Sequence, residues 1–338
     1  MNDGYQLQLA LPDDFHVHLR QGTQLPAYAR RSAAQFGRIL VMPNTLPPIC
    51  DGAALRSYRA EIHTAAPDCQ ALMTFKLVPG MGTAAVQDCI EAGAIAGKYY
   101  PAGATTNAAD GVADPQQISD ELALMQELDI VLSIHAEDPL SPAMEREAAF
   151  LPIVERLIRN YPKLRIVLEH LSSAAAVAAI SNWPERVAAT LTAHHLTYTI
   201  DDLLGDKLQP ALFCKPLLKS AADRAALLQA ATSGSPRFFF GSDSAPHPAD
   251  AKLSAAAPAG SYTAPLALPL LARCFEAAGR LDRLEYFVSR AGADFYQLPP
   301  KQGSVLLTKK AWRIPERIDD AIPPEAGRLI NWQAQRLP

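Results

Sequence analysis

The 338-residue sequence has no uninterrupted apolar run near the ~20 residues that a bilayer-crossing helix needs, so no membrane span is expected. It opens MNDGYQLQLALPDD, which lacks the basic start and the apolar stretch of a secretory signal. Its five cysteines (Cys50, Cys69, Cys89, Cys214, Cys274) are scattered and include no CxxC pair. An odd, dispersed set of this kind reads as reduced thiols serving as small core residues, and a cytoplasmic location is expected. Nor is there an excess of basic charge. Thirty-one Lys and Arg against 35 Asp and Glu leave a net charge of -4, which gives no electrostatic reason to expect nucleic acid or an acidic membrane as partner. Linkers rich in Pro, Gly or Ser, sequence repeats and low-complexity tracts are also missing, and a single domain over 1–338 is expected.

What is present is a regular alternation. Apolar residues make up 49% of the chain, and a chain of this length buries roughly 75% of the surface it exposes when unfolded. Strands are predicted at Asp14–Leu19, Arg38–Met42, Ala71–Leu77, Ile95–Tyr99, Ile130–His135, Arg165–His170, Val187–Thr192 and Arg237–Gly241. Helical stretches fall between them, among them Gln116–Leu128, Met144–Asn160, Ala174–Ile180 and Ala221–Ala231. Short apolar runs alone cannot be told from buried helix, but their alternation with helices implies βαβ units and a parallel sheet. Eight such units predict an α/β fold, a (β/α)8 TIM-type barrel, with a doubly wound open sheet as the rival. Ala255–Gly260 reads as a loop. Residues 301–338 carry two further short apolar segments and several prolines, and read as a C-terminal extension packed on the barrel.

The reactive side chains stand at the ends of these strands. His16 and His18, in DFHVHLR, are two apart, and residues i and i+2 of a strand share a face. Lys98 ends the fourth strand, His135 the fifth and His170 the sixth, while Asp243 follows the eighth in GSDSAPH. In a barrel all these ends converge on one face, which is the face that carries catalysis in this fold. A lone histidine at a strand end is usually a hydrogen-bonded structural residue, but here four of the eight histidines take that position. The set suits a borderline metal such as zinc. Lys98 is a poor companion to two cations if it is charged. It reads either as a lysine paired with a carboxylate or as a lysine of lowered pKa that has added carbon dioxide to form a metal-bridging carbamate. Arg20 offers a planar fork of donors suited to a carboxylate, and Asn44 offers neutral donors. Taken alone, the first is also a surface arginine and the second a turn residue. His194 and His195, in TAHHLT, are expected to be structural or to stand behind the ligands, and His63 to be incidental.

FHVHLR, MPN, GKYYPAGATTN, SIHAED, LEHLSS and GSDSAPH, taken in order, resemble the amidohydrolase superfamily, and more closely the dihydroorotases of the single-domain bacterial type. The resemblance runs from about Pro12 to beyond Tyr262. It implies a metal-dependent hydrolase barrel, a homodimer, and two zinc ions bridged by N6-carboxylysine at Lys98. It further implies that His16, His18 and Asp243 hold the more buried ion, and that His135 and His170 hold the second. Asp243 would also be the catalytic proton carrier. Arg20, Asn44, His247 and the backbone near Ala259 match positions that grip the substrate's α-carboxylate. Thr105 and Thr106 match a mobile loop over the substrate, and Lys215 a backbone contact to it. The activity implied is the reversible cyclisation of N-carbamoyl-L-aspartate to L-dihydroorotate in pyrimidine synthesis.

Three residues depart from the family pattern: Gln21 where an acid is expected, Lys215 where the residue is often apolar, and Gly103 where a larger one is common. None is a predicted ligand. Another cyclic amidohydrolase of the hydantoinase or dihydropyrimidinase kind is an alternative, as is a catalytically silent homologue serving as a scaffold. Against the first stand Arg20, Asn44 and His247; against the second, all six ligand positions are filled.

Overall fold

The computed structural model describes residues 4–337, so the expected domain limits of 1 and 338 lie outside the described residues. After a first strand, β1 (Gln6–Ala10), come eight strands: β2 (Asp13–Val17), β3 (Arg38–Val41), β4 (Gln70–Lys76), β5 (Ala94–Tyr99), β6 (Val131–Ile134), β7 (Ile166–Leu168), β8 (Val187–Leu191) and β9 (Phe238–Phe240). Neighbours pair in parallel in sequence order, from β2 to β9. The two ends of this sheet meet. The Asp243 amide donates to the His16 carbonyl (2.8 Å), and the His18 amide donates to the Ser244 carbonyl (2.9 Å). The eight predicted strands are therefore the eight staves of a barrel, and the open-sheet reading is set aside.

The alternation of each strand sorts its side chains between two cores. Ile39, Val41, Phe75, Leu132, Ile134, Ile166 and Leu168 point outward and join the large cluster beneath the helices. Leu40, Leu72, Ala96, Val131, Val167, Ala188 and Phe239 point inward and form a separate cluster with Phe15. Tyr296, just beyond the helix Ala291–Phe295, stacks on Phe15 at 5.0 Å between ring centroids. Two residues further along the same inward face, the side chains become Thr74, Lys98, Ser133, Glu169 and Thr190, all buried. The barrel interior is thus apolar toward one end and polar toward the C-terminal ends of the strands. A register shift between Asp14 and Val17 lets Phe15 and His16 both face inward, one into each layer.

The intervening helices begin where the sequence supplies caps. Asp51 accepts from the Ala54 amide to start Gly52–Ala65, and Ser173 caps Ala174–Asn182. Ser220 and Asp223 form a reciprocal capping box at the start of Ala221–Thr232. No helix among the described residues is long and apolar enough to cross a membrane.

The C-terminal segment supplies β10 (Ser304–Arg313) and β11 (Leu329–Arg336), which form an antiparallel sheet with β1 in the order β1-β10-β11. Val305, Leu307, Ile330 and Trp332 face inward from it and are buried. Arg336 donates to the Ala33 carbonyl (2.8 Å) and the Trp332 indole to Glu276 (3.0 Å), so the extension is tied to the barrel helices.

Candidate active site

The six predicted ligands meet at the C-terminal mouth of the barrel. His16 Nε2 lies 3.3 Å from His18 Nε2, and Asp243 Oδ1 lies 3.4 Å and 3.2 Å from these two nitrogens. On the other side, His135 Nδ1 is 3.2 Å from His170 Nε2. Two ligands bonded to zinc at ~2.0–2.1 Å with a tetrahedral angle between them stand about 3.3 Å apart, so both sets have the spacing of a shared ion. His16, His170 and Asp243 also place ligand atoms within 4.8 Å of one another, which joins the two sets into one centre.

Strand alternation alone would not have delivered all of them. Glu169 already faces inward, so an extended His170 would face the helices. Its φ of 45° is left-handed and turns it inward as well; Asp243 (φ 43°) and Arg20 (φ 62°) share this conformation. Non-glycine residues held there carry local strain, which persists where the surrounding structure enforces it. Gly241 leaves room for the centre: a Cβ there would lie 2.9 Å from His16 Cβ.

Two of the four histidines, His16 and His135, are oriented from behind. Glu169 Oε2 is 2.8 Å from His16 Nδ1, and Glu137 Oε2 is 2.8 Å from His135 Nε2. A carboxylate at one ring nitrogen holds the proton there and leaves the other as a lone-pair donor. His16 therefore presents Nε2 and His135 presents Nδ1. Glu169 is itself held by Ser133 and by Thr190 Oγ1 (2.6 Å), while Thr190 accepts from the His170 amide (2.6 Å).

The electrostatics match a cation site. Burial pushes the His18 pKa down to about 4 and lowers those of His135 and His170, favouring neutral rings. Burial opposes ionisation of Asp243, but the hydrogen bond from His18 and the surrounding histidines outweigh it and hold the carboxyl well below its usual range. Neutral imidazoles and an ionised carboxylate are the states a metal requires. Lys98 is fully buried, its Nζ has no hydrogen-bond partner among the described residues, and burial brings its pKa down to about 8. Of the two readings of Lys98, the close carboxylate partner is not there; Glu169 and Asp243 act on it only through space.

The predicted substrate contacts line the mouth. A cavity of about 20 Å³ is bounded by His18 and Asp243 on the metal side and by Arg20, Asn44, Thr105, Thr106, Lys215 and Ala259 on the other. His247 stands behind it: its Nε2 is 2.9 Å from Arg20 Nη2 and 3.0 Å from the Ala259 carbonyl. Burial and the Arg20 charge push its pKa down to about 3. Arg20 Nε donates to the Pro246 carbonyl (2.9 Å), which fixes the guanidinium, and Tyr58 donates to the Arg20 backbone carbonyl (2.6 Å), which holds the main chain there. A neighbouring cavity of about 210 Å³, reaching Gln21 and Leu46, opens beside it.

The smaller cavity has room for about one water, because the segment 103–111 is folded over it. Asn44 donates to the Thr106 carbonyl (3.1 Å), and Asn107 donates to the Asn44 carbonyl (2.9 Å). Lys76, buried on β4, donates to the Asn107 carbonyl (2.8 Å) and pairs with Asp110. Gly103 has φ 75° with open space where a Cβ would be, so a side chain there would be strained rather than crowded.

Sequence reasoning passed over Glu169, Glu137, Thr190 and Lys76. The two glutamates were visible in LEH and HAED, each within two residues of a ligand. His194 and His195 do not enter the centre; they gather with Cys214 instead. His63 is exposed on its helix.

The family model described as "Amidohydrolase" matches residues 14–259. A dihydroorotase of Teredinibacter turnerae is 40% identical, covering 98% of this chain and 99% of its own. One of Alkalilimnicola ehrlichii is 42% identical, with 97% and 99% covered. Among solved structures, the Saccharomyces cerevisiae dihydroorotase in complex with 5-fluoroorotic acid superposes with a TM-score of 0.92 at 35% identity, covering 98% of this chain and 99% of that one.

Proposed function

The chain belongs to the amidohydrolase family and is a hydrolase with dihydroorotase function, and from that premise we propose that it works through two zinc ions bridged by a carboxylated Lys98. The substrates are N-carbamoyl-L-aspartate and L-dihydroorotate. The observation that carries this reading is the shared cavity, in which His18 and Asp243 face Arg20 and Asn44. An amide-cleaving centre and a carboxylate grip stand on opposite walls of one small space.

His16, His18 and Asp243 would hold one ion, and His135 and His170 the other. Bound there, the ions would supply Lewis acidity at the amide carbonyl and a lowered pKa for water. Lys98, buried and of lowered pKa, is neutral in a useful fraction near pH 8. Its Nζ lone pair attacks carbon dioxide and releases one proton, and the resulting carbamate offers two oxygens. That anion also removes the repulsion a lysine ammonium would suffer there.

Asp243 takes the proton of the attacking water and delivers it to the leaving amide nitrogen; in the cyclising direction the same transfers run in reverse. Its ionised state leaves it ready to accept. Arg20 binds the α-carboxylate through its fork of donors, Asn44 adds an amide donor, and His247 and the backbone near Ala259 complete the grip. Thr105, Thr106 and the backbone of Lys215 close the far wall. The family resemblance adds a homodimer in the cytoplasm as the form in which the chain works.

The test follows L-dihydroorotate ring opening by ultraviolet absorbance before chelation, after chelation and after zinc is restored. Loss and recovery of turnover are expected. A zinc-loaded protein that does not open the ring would overturn the reading.

A further inference from the structure

Beneath the active-site mouth, three side chains that the reaction does not use converge. His194 and His195 lie on the short helix Ala193–Thr197 that follows β8, and Cys214 lies 19 residues further along the chain. All three are buried, with 1%, 2% and 0% exposure, and their ligand atoms lie within 4.8 Å of one another. The ring centroids of the two histidines are 4.6 Å apart.

The hydrogen bonding of this group is incomplete in one specific way. Both ring nitrogens of His194 are buried and have no partner among the described residues. Leaving a buried donor or acceptor unpaired is costly, so an imidazole with neither nitrogen paired calls for a ligand. Its neighbours are poised around a common point. His195 Nε2 and Cys214 Sγ both lie against one oxygen, the Pro216 carbonyl, at 3.1 Å and 3.2 Å. On the other edge of the ring, His195 Nδ1 meets Thr192 Oγ1 at 2.9 Å, and that hydroxyl can accept as readily as it donates.

We propose that His194, His195 and Cys214 form a third metal site, separate from the catalytic pair, that takes a zinc-like divalent cation. Two imidazoles and one thiolate are a donor set of the borderline-soft class that zinc prefers. The chemistry balances with one proton. Cys214 loses its thiol proton on binding, and His195 shifts its proton from Nε2 to Nδ1, where Thr192 accepts it. His194 offers whichever nitrogen faces the ion. The net added charge is one positive unit, and the Pro216 carbonyl, relieved of both hydrogen bonds, turns its oxygen toward the cation. The site links the helix after β8 to the segment 214–216. That segment carries Lys215, part of the substrate cavity, so the ion fixes the backbone of that wall.

Cobalt(II) is the probe. The full-length protein, stripped with chelator and reloaded with cobalt, is expected to bind three equivalents per chain and to show a sulfur-to-cobalt charge-transfer band in the near ultraviolet. The catalytic centre has no sulfur ligand, so this band reports the third site whether or not the catalytic pair is filled. Cys214→Ser is expected to lose the band and one equivalent. His194→Gln, which leaves the thiol in place, is expected to lose one equivalent and to weaken or shift the band. A reloaded protein without the band overturns the proposal and leaves His194 to be satisfied by water. A band that survives Cys214→Ser overturns it equally, since the thiolate then belongs to another cysteine.

Discussion

Glu169 Oε2 stands 2.8 Å from His16 Nδ1, and this one contact decides which nitrogen His16 turns toward the proposed metal centre. Glu169 is fully buried and also accepts from Ser133 and Thr190. Burial opposes its ionisation, yet the electrostatic influence of His16 and Lys98 and the hydrogen bonds from His16 and Ser133 keep its pKa below the usual carboxylate value. The anion is therefore held in place to fix the His16 tautomer. Glu169→Gln replaces it with a neutral amide that can present a donor to Nδ1. Zinc affinity is expected to fall about 10–100-fold, measured by competition with a chromogenic chelator. Unchanged affinity would mean that His16 is oriented by something else.

Asp243→Ala removes one proposed ligand and the proposed proton carrier together, while the other five proposed ligands stay. The variant is expected to keep much of its metal and to lose about 100-fold or more of kcat, the scale of general acid–base catalysis. Metal content by elemental analysis, read beside steady-state kinetics, separates the two effects. Near-normal turnover would remove Asp243 from the proton path.

Arg20→Met acts on recognition. The guanidinium is fixed by Pro246 and lies beside His247 on the cavity wall. Hydrogen bonds to a charged group contribute about 1.5–3 kcal/mol, so KM for L-dihydroorotate is expected to rise about 10–100-fold. A KM that does not move would place the carboxylate elsewhere.

Lys76→Met tests the closed segment over the cavity. Lys76 is buried, with its ammonium on the Asn107 carbonyl and Asp110, and a methionine of similar length fills the same channel without charge. Weakening the closed state is expected to raise KM by about 10-fold and to speed proteolytic nicking between residues 103 and 111. If neither changes, Asn44 and Asn107 alone hold the segment shut.

Stability carries its own pH signature at Glu147. This buried carboxyl accepts from the Ser172 amide (2.8 Å) and from Ser173, yet burial raises its pKa from 4.5 to about 7. The folded state therefore binds more protons than the unfolded state between these values. The stabilisation from the protonated group is fully present below 4.5 and is lost as pH rises through 7. The shift corresponds to about 3 kcal/mol. Glu147→Gln keeps both hydrogen-bond positions and is expected to flatten this part of the stability curve in urea denaturation. Parallel curves for the two proteins would contradict the assignment.

The eight barrel strands and the six residues gathered at the barrel mouth were legible because they depend on local pattern. Each strand is a short apolar run before a helical stretch, and each ligand stands at its end. β1 was not legible: Gln6–Ala10 is short, and its partner β10 lies about 300 residues away, so no local signal marks the pairing. The inward turn of His170 was hidden for a related reason. Alternation assigns Glu169 and His170 to opposite faces, and only the left-handed φ of 45° brings both inside. Lys76 gives no signal in sequence, since its partners lie more than 30 residues on, in the folded-over segment. His194 and His195 were expected to be structural or to stand behind the ligands, and the structure groups them with Cys214, a pairing that no local pattern marks.

In the proposed mechanism Lys98 carries a carbamate between two ions. Protein stripped of metal and reloaded with zinc in isotopically labelled bicarbonate tests this directly, by carbon NMR of the folded enzyme. A single carbamate carbon signal that is absent from Lys98→Arg is the predicted result. A fully active, zinc-loaded enzyme with no such signal would contradict the bridge and leave Lys98 an ordinary buried amine.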